Sequence, residues 1–135
     1  MKIDIFSDVH IDSWNTRFYD TSIRDMFEKS EGVDVCVMAG DGGNGAFWFY
    51  SVVSALRELY EYVVFVAGNH DYYAHNSGTL ALESAGKMFF SVKRKIFVAA
   101  TLWTNFRNNP VSALTAQQSI ADFTVIPGMT TQYMR

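Results

Sequence analysis

The sequence has very little cysteine, little histidine and no excess of positive charge. Its 135 residues include one cysteine, Cys36, three histidines and a formal net charge of −3. An intramolecular disulfide is excluded, which fits a reducing compartment, and Cys36 is predicted to be a buried strand thiol. The charge balance gives no general attraction to nucleic acid or to an anionic membrane surface.

Long apolar runs and repeats are also missing. No apolar run approaches the ~18–20 residues that span a bilayer, and the first residues carry no signal-peptide pattern. We therefore expect one cytoplasmic domain over residues 1–135, long enough to bury roughly 68–70% of its unfolded surface. The basic run Lys93-Arg94-Lys95 is predicted to be a solvated turn before a strand.

Three apolar runs are present, and each ends in polar residues. The runs and their polar ends are residues 2–6 with Asp8 and His10, residues 33–38 with Asp41, and residues 63–66 with Asn69, His70 and Asp71. Continuous apolar runs are typical of strands buried on both faces, as in parallel sheets. Open sheets of this kind bind ligands at the carboxyl ends of their strands.

Helices are predicted between and after these strands. The predicted helices start near Asp20 or Thr21 and stop at Gly32, cover about residues 46–61, start at Ser77 and run to about residue 85, and cover residues 111–123. Residues 88–92 and 95–102 are predicted as two further strands. This alternation predicts an α/β domain with a mainly parallel sheet flanked by helices.

A parallel sheet would bring the polar ends of the three runs to one edge. Carboxylates, imidazoles and a carboxamide form a mixed oxygen and nitrogen set that suits Mn²⁺, Fe²⁺ or Zn²⁺. A central carboxylate such as Asp41 can bridge two ions and so serve a phosphoryl displacement. His70 adds an acid that the neighbouring Asp71 could orient. Taken alone, Asp8 or Asp41 is more typical of a helix or turn cap than of a ligand, and a lone loop histidine such as His75 is more typical of a surface residue than of a ligand.

The polar ends resemble a known family. Asp8-Val9-His10, Gly40-Asp41 and Gly68-Asn69-His70-Asp71 resemble the first three motifs of the calcineurin-like metallophosphoesterases. Asp71-Tyr72-Tyr73, residues 99–104 and Asp122-Phe123 are similar to a bacterial and phage branch of that family. The resemblance implies a four-layer sandwich of two sheets with helices outside. It also implies one or two divalent ions, of which we expect Mn²⁺ first, with Fe²⁺, Zn²⁺ and Ni²⁺ as alternatives.

The resemblance assigns a role to each matching residue. Asp8 and His10 would bind the first metal, Asp41 would bridge the two ions, and Asn69 would bind the second. His70 would contact the phosphate and protonate or stabilise the leaving oxygen, with Asp71 supporting it. The implied reaction is hydrolysis of a phosphomonoester or phosphodiester by a metal-activated water.

The later motifs of the family have no match in this sequence. The family continues with a further histidine and a Gly-His-x-His motif, whereas this chain has only His75 after His70. We therefore expect a partial sandwich with an exposed apolar face or strand edge. Three explanations stay open: a complementing chain supplies the ligands, a homodimer covers the face and supplies His75, or the chain is a non-catalytic module that binds a protein partner. A plain nucleotide-binding domain is disfavoured, because no glycine-rich loop follows the first strand.

Overall fold

The structure is a computed structural model that describes residues 1–14, 22–73, 88–102, 104–126 and 128–129. His75 and the helix predicted from Ser77 lie outside these residues. The elements, in chain order, are β1 (Ile3–Phe6), β2 (Val35–Ala39), α1 (Ala46–Leu59), β3 (Tyr62–Val66), β4 (Met88–Val92), β5 (Lys95–Ala99), α2 (Pro110–Ser119) and α3 (Asp122–Val125). None of the helices in these ranges has the length and apolar character needed to cross a membrane.

The first three strands form one parallel sheet with β2 at its centre. Ile3 of β1 lies opposite Val35 of β2, which in turn lies opposite Tyr62 of β3. Val35 and Cys36 are both fully buried, although successive strand residues face opposite sides of a sheet. The central strand is therefore covered on both faces, which explains its unbroken apolar run.

One face of this sheet is covered by α1 and the other by a β-hairpin. Val52 and Leu56 of α1 pack with Cys36 and Met38 in one buried cluster. On the opposite face, Val92 of the hairpin packs with Val35 and Val64. The layers are thus helix, parallel sheet and antiparallel hairpin. The prediction of an α/β fold with a parallel sheet flanked by helices, in the form of a partial sandwich, is confirmed.

The hairpin consists of β4 and β5, which pair antiparallel in a sheet of their own. Lys93 and Arg94 connect the two strands with positive φ angles of 46° and 62°, the backbone of a tight two-residue hairpin turn. The predicted turn in the basic run is confirmed. The Lys93 ammonium pairs with the carboxylates of Asp34 and Glu61, which ties the turn to the parallel sheet.

Two helix predictions differ from the structure. The helix expected to end at Gly32 is only a 3₁₀ turn over Ile23–Met26 within the described residues. The backbone N–H of Ser30 donates to the carboxylate of Asp4 at 2.9 Å, so it does not extend a helical hydrogen-bond ladder. The helix expected over residues 111–123 is divided into α2 and α3, because Ile120 has extended φ and ψ angles of −99° and 126°.

The start of α2 is fixed by Asn109, which precedes Pro110 at the first helical position. The Asn109 side-chain oxygen accepts hydrogen bonds from the backbone N–H groups of Val111 and Ser112 at 2.9 and 3.3 Å. We expect Asn109→Ala to lower the free energy of unfolding by about 1 kcal/mol, the usual effect of losing such a cap. Urea denaturation measures this change. Gln117→Ala, an exposed change on the same helix, should stay within about 0.5 kcal/mol, and equal values for the two variants would contradict the capping role.

Candidate metal centre

Three loops meet at the carboxyl ends of β1, β2 and β3. Parallel backbone pairing continues past the strand ends, because Asp8 N–H donates to the carbonyl of Gly40 and His10 N–H to the carbonyl of Asp41, both at 3.1 Å. Ile11 N–H continues the ladder to the carbonyl of Gly42 at 3.0 Å. The first loop is therefore fixed residue by residue against the second.

The second and third loops touch backbone to backbone at two glycines. A Cβ atom on Gly40 would lie 2.9 Å from the Cα of Gly68. A Cβ on Gly68 would lie 2.1 Å from Oδ1 of Asp41. Gly40 also has a φ of +88°, which L side chains rarely adopt. These contacts explain why glycine precedes Asp41 and Asn69 in the two motifs.

Three residues that the sequence singled out have left-handed backbones. The φ angles of Asp8, His10 and Asp41 are 52°, 44° and 56°. In residues other than glycine, each such conformation costs of order 1–3 kcal/mol, although Asp and His tolerate it better than most residues. Strain of this kind concentrates at functional sites, and the three residues meet at one pole of the sheet.

His10, Asp41 and His70 form a close cluster of metal-ligating groups among the residues that the structure describes. One ligand atom from each residue lies within 4.8 Å of the others, and all three residues are half-buried. The two imidazole rings lie edge to face with centroids 4.6 Å apart. Imidazole nitrogen with carboxylate oxygen is a donor set that suits divalent transition metals. The three residues therefore fit a divalent cation.

The electrostatics of this pole also favour a cation. Within the described residues, the ion pairs lie elsewhere, between Arg24 and Asp25 and from Lys93 to two carboxylates. The carboxylate of Asp41 instead accepts a hydrogen bond from the backbone N–H of His70 at 3.0 Å. Among the described residues, no lysine or arginine forms an ion pair with this carboxylate, which lies beside two imidazoles, so its charge is available to a cation.

Asp8 and Asn69 lie around this cluster. Asp8 is exposed, and its carboxylate is not one of the three clustered groups. Asn69 directly follows Gly68, and its amide nitrogen donates to Oδ1 of Asp122 at 3.0 Å. The metal-binding roles that the resemblance gives to Asp8, His10, Asp41 and Asn69 remain predictions, and the structure places all four at the same end of the parallel sheet.

Asp71 is fully buried and binds the loops together. Its Oδ2 accepts hydrogen bonds from the N–H groups of Gly68 and Asp41, both at 2.8 Å, and its Oδ1 accepts from those of Gly42 and Gly43 at 2.9 and 3.4 Å. Burial raises the pKa of Asp71 to about 6, while these N–H groups favour the ionised form. Asp71 therefore connects the second loop to the third.

The expectation that Asp71 orients the His70 ring is wrong. Both residues lie in a short 3₁₀ helix. Because such a helix has three residues per turn, successive side chains point about 120° apart around its axis. The ring nitrogen Nδ1 of His70 instead lies 2.8 Å from Oδ1 of Asn44. The amide nitrogen of Asn44 in turn donates to Oδ2 of Asp12 at 2.6 Å.

Sequence reasoning therefore missed Asn44 and Asp12. Asn44 lies in a glycine-rich loop whose composition indicates little side-chain bulk and no specific role. The available signal was that Asn44 is the only polar side chain in Gly42-Gly43-Asn44-Gly45. Tyr73 was also missed, and its ring lies 4.4 Å from the His70 ring at an angle of 32°.

An open cavity of about 540 Å³ adjoins the cluster on the Asn69 side. Its walls come from the ends of β2 and β3 and from the segments after β5 and α2, and the lining residues are Ala39, Val66, Ala67, Gly68, Asn69, Ala100, Thr101, Leu102, Thr104, Ile120 and Asp122. Most of these side chains are small or apolar. The cavity offers space beside the candidate metal ligands for a bound molecule.

Comparisons with known proteins agree with this fold and identify the family. A family model described as calcineurin-like phosphoesterase matches residues 1–132, whereas no curated protein matches the chain. The fold is similar to the crystal structure of phosphopantetheinyl hydrolase from Mycobacterium tuberculosis, with a TM-score of 0.65 and 12% sequence identity. The similarity covers 98% of this chain and 58% of that one, so this chain spans little more than half of that protein's length. Because the family model covers nearly every residue, the chain belongs to the calcineurin-like phosphoesterase family.

Proposed function

We propose that this chain binds one or two divalent metal ions and uses them to hydrolyse a phosphomonoester or phosphodiester. Membership of the family supports metal-dependent phosphoester hydrolysis in general. The observation that carries the proposal for this chain is the cluster of His10, Asp41 and His70, whose ligand atoms lie within 4.8 Å of one another.

The proposed ligands are His10 and Asp41, with Asp8 and Asn69 beside them. Divalent ions, when bound, supply positive charge to the phosphoryl oxygens and make water a nucleophile at neutral pH. Mn²⁺ is the ion that we propose first. Such donor sets also accept Fe²⁺, Zn²⁺ and Ni²⁺, and metal availability decides among them. A reducing cytoplasmic compartment is part of the proposal and is supported by the single buried thiol of Cys36.

The contacts of His70 support its proposed role at the leaving oxygen. The amide nitrogen of Asn44 donates to the Asp12 carboxylate, so the amide oxygen is the end that faces His70. That oxygen can only accept a hydrogen bond, and therefore Nδ1 of His70 carries the proton in the contact. Nε2 is then the ring nitrogen left to bind a cation or to exchange a proton with a phosphate ester.

Hydrolysis of an aryl phosphodiester with added Mn²⁺ tests this function. We expect the wild-type chain to be active, and Asp41→Asn and His70→Ala each to lower the rate by ~10²-fold or more, because each change removes a metal-site or proton-transfer group. Removal of divalent ions with a chelator should abolish the activity, and Mn²⁺ should restore it. Asp25→Asn changes an exposed carboxylate in a surface ion pair and should leave the rate unchanged.

A non-catalytic module that binds a protein partner is the second candidate. It is favoured by exposed apolar side chains on and after β5, since Ile96, Val98 and Leu102 are 75%, 64% and 90% exposed. Large exposed apolar patches are typical of interaction surfaces, and a second copy or a complementing chain is the proposed partner. An equal background rate for the wild type, Asp41→Asn and His70→Ala would exclude independent hydrolysis and favour this second function.

A further inference from the structure

Two carboxylates are buried within the described part of the chain, and only the first of them, Asp71, has been given a role above. These are Asp71 and Asp122, which are 0% and 8% exposed. Asp122 begins the short helix α3, which comes well after the three loop motifs in the sequence. A buried carboxylate costs free energy unless its oxygens accept hydrogen bonds. The partners of Asp122 therefore indicate what it does.

Both described partners of Asp122 belong to the third loop. Its Oδ1 accepts a hydrogen bond from the amide nitrogen of Asn69 at 3.0 Å and one from the hydroxyl of Tyr73 at 2.6 Å. The Asn69 nitrogen also lies 3.5 Å from the Tyr73 hydroxyl. The three side chains thus form a closed hydrogen-bonded triangle, in which a single carboxylate oxygen accepts both donors.

This triangle decides which end of the Asn69 amide faces the rest of the site. The oxygen and the NH₂ group of a carboxamide are almost equal in size, but only the oxygen is a ligand for hard divalent cations. Oδ1 of Asp122 accepts hydrogen bonds from both the Asn69 amide nitrogen and the Tyr73 hydroxyl, so the NH₂ group of Asn69 faces Asp122. We propose that Asp122 is a positioning residue, which holds the Asn69 amide by its nitrogen and so directs the oxygen away from α3, as the atom offered to a cation.

The same carboxylate acts on His70 through Tyr73. The Tyr73 hydroxyl donates to Asp122, while the Tyr73 ring packs against the His70 ring at 4.4 Å. Burial raises the pKa of Tyr73 to about 12, and its hydrogen bond to Asp122 acts in the same direction, so the hydroxyl remains a donor at neutral pH. Asp122 therefore fixes one candidate ligand directly and the packing of a second residue indirectly. This inference rests on the proposed function only where it treats Asn69 as a metal ligand.

Side-chain amide exchange measured by NMR on the metal-free chain tests the orientation directly. We expect the Asn69 NH₂ protons to exchange with water at least ~10-fold more slowly than those of the exposed Asn109, because Asp122 protects them. In Asp122→Leu this protection should be lost. In Asp122→Asn it should remain, because one carbonyl oxygen can still accept both hydrogen bonds. Asn69→Asp removes the signal and so assigns it.

Titration with Mn²⁺ by calorimetry tests the consequence for metal binding. Asp122→Leu should lower the affinity ~10–100-fold, as loss of a group that orients a ligand does, whereas Asp122→Asn, which keeps an accepting oxygen, should bind as the wild type does. Circular dichroism shows whether each variant folds. If Asp122→Leu does not fold, amide exchange in the wild type and in Asp122→Asn decides the question.

Two results would overturn the proposal. One is an Asn69 amide in the wild type that exchanges as fast as that of Asn109. The other is a folded Asp122→Leu variant that binds Mn²⁺ as tightly as the wild type. A wild-type chain that binds no Mn²⁺ would instead contradict the proposed function, and the exchange measurement would still test the orientation of Asn69.

Discussion

Asp71→Asn is expected to lower the free energy of unfolding by about 2–6 kcal/mol, although the two side chains have nearly the same shape. Each oxygen of the Asp71 carboxylate accepts hydrogen bonds from two backbone N–H groups. An asparagine has only one oxygen, so in either orientation its NH₂ group must face two N–H donors, which are buried on the Oδ1 side and partly buried on the Oδ2 side. Each buried donor left without an acceptor costs about 1–3 kcal/mol, and total stabilities are only about 5–15 kcal/mol.

Urea denaturation measures this loss in the free energy of unfolding. The measurements are made well above pH 6, where the wild-type carboxyl is ionised despite the raised pKa of Asp71. Asp34→Asn is the matched control, because Asp34 forms a surface ion pair with Lys93 and such pairs contribute about 0–1 kcal/mol. A folded Asp71→Asn variant whose stability lies within about 1 kcal/mol of the wild type would show that the four N–H groups do not depend on this carboxylate.

Gly68→Ala is expected to damage the site more than the fold. The added methyl group would lie 2.1 Å from Oδ1 of Asp41 and 2.7 Å from the Asp41 backbone nitrogen. Because the backbone of Asp41 is also in the way, rotation of its side chain alone cannot relieve the overlap. Overpacking of this kind costs about 1–3 kcal/mol of stability. It also displaces the central carboxylate, so we expect Mn²⁺ affinity and hydrolysis each to fall ~10²-fold or more.

Gly32→Ala separates the effect on the site from the effect on stability. Nothing lies within 4 Å of a Cβ at Gly32, but its φ of +72° makes any side chain there strained. This variant should lose about 1 kcal/mol of stability and keep the Mn²⁺ affinity of the wild type. Should Gly68→Ala and Gly32→Ala lose stability equally and bind Mn²⁺ equally well, the contact between Gly68 and Asp41 would have no role in the site.

The sequence predicts those residues of the site that directly follow the end of a strand. His10, Asp41 and His70 follow three successive apolar runs, and parallel pairing brings the ends of such runs together whatever the loops do. The hairpin turn at Lys93 and Arg94 and the buried strand thiol of Cys36 were predictable for a similar reason, since each depends on its immediate sequence neighbours.

The side-chain contacts around the site could not be predicted in the same way. Asn69 meets Asp122 across 53 residues of sequence and His70 meets Asn44 across 26, and neither separation follows from helix or strand periodicity. The adjacency of His70 and Asp71 suggested a contact that the local 3₁₀ turn prevents. The helix expected to reach Gly32 is a 3₁₀ turn that ends at Met26, and the Ser30 N–H donates to Asp4 of β1, a contact that the local sequence does not reveal.

The four hydrogen bonds of Asp71 also determine when the entropy cost of building the site arises. Ordering the backbone of one loop residue costs about 1–2 kcal/mol, and the loops after β2 and β3 would otherwise be free to sample many conformations. Because Asp71 joins Gly42, Gly43 and Gly68 at folding, this cost is incurred before any cation arrives. A cation bound at the proposed site would not have to immobilise these loops, so less of its interaction free energy would be offset by the ordering of the chain.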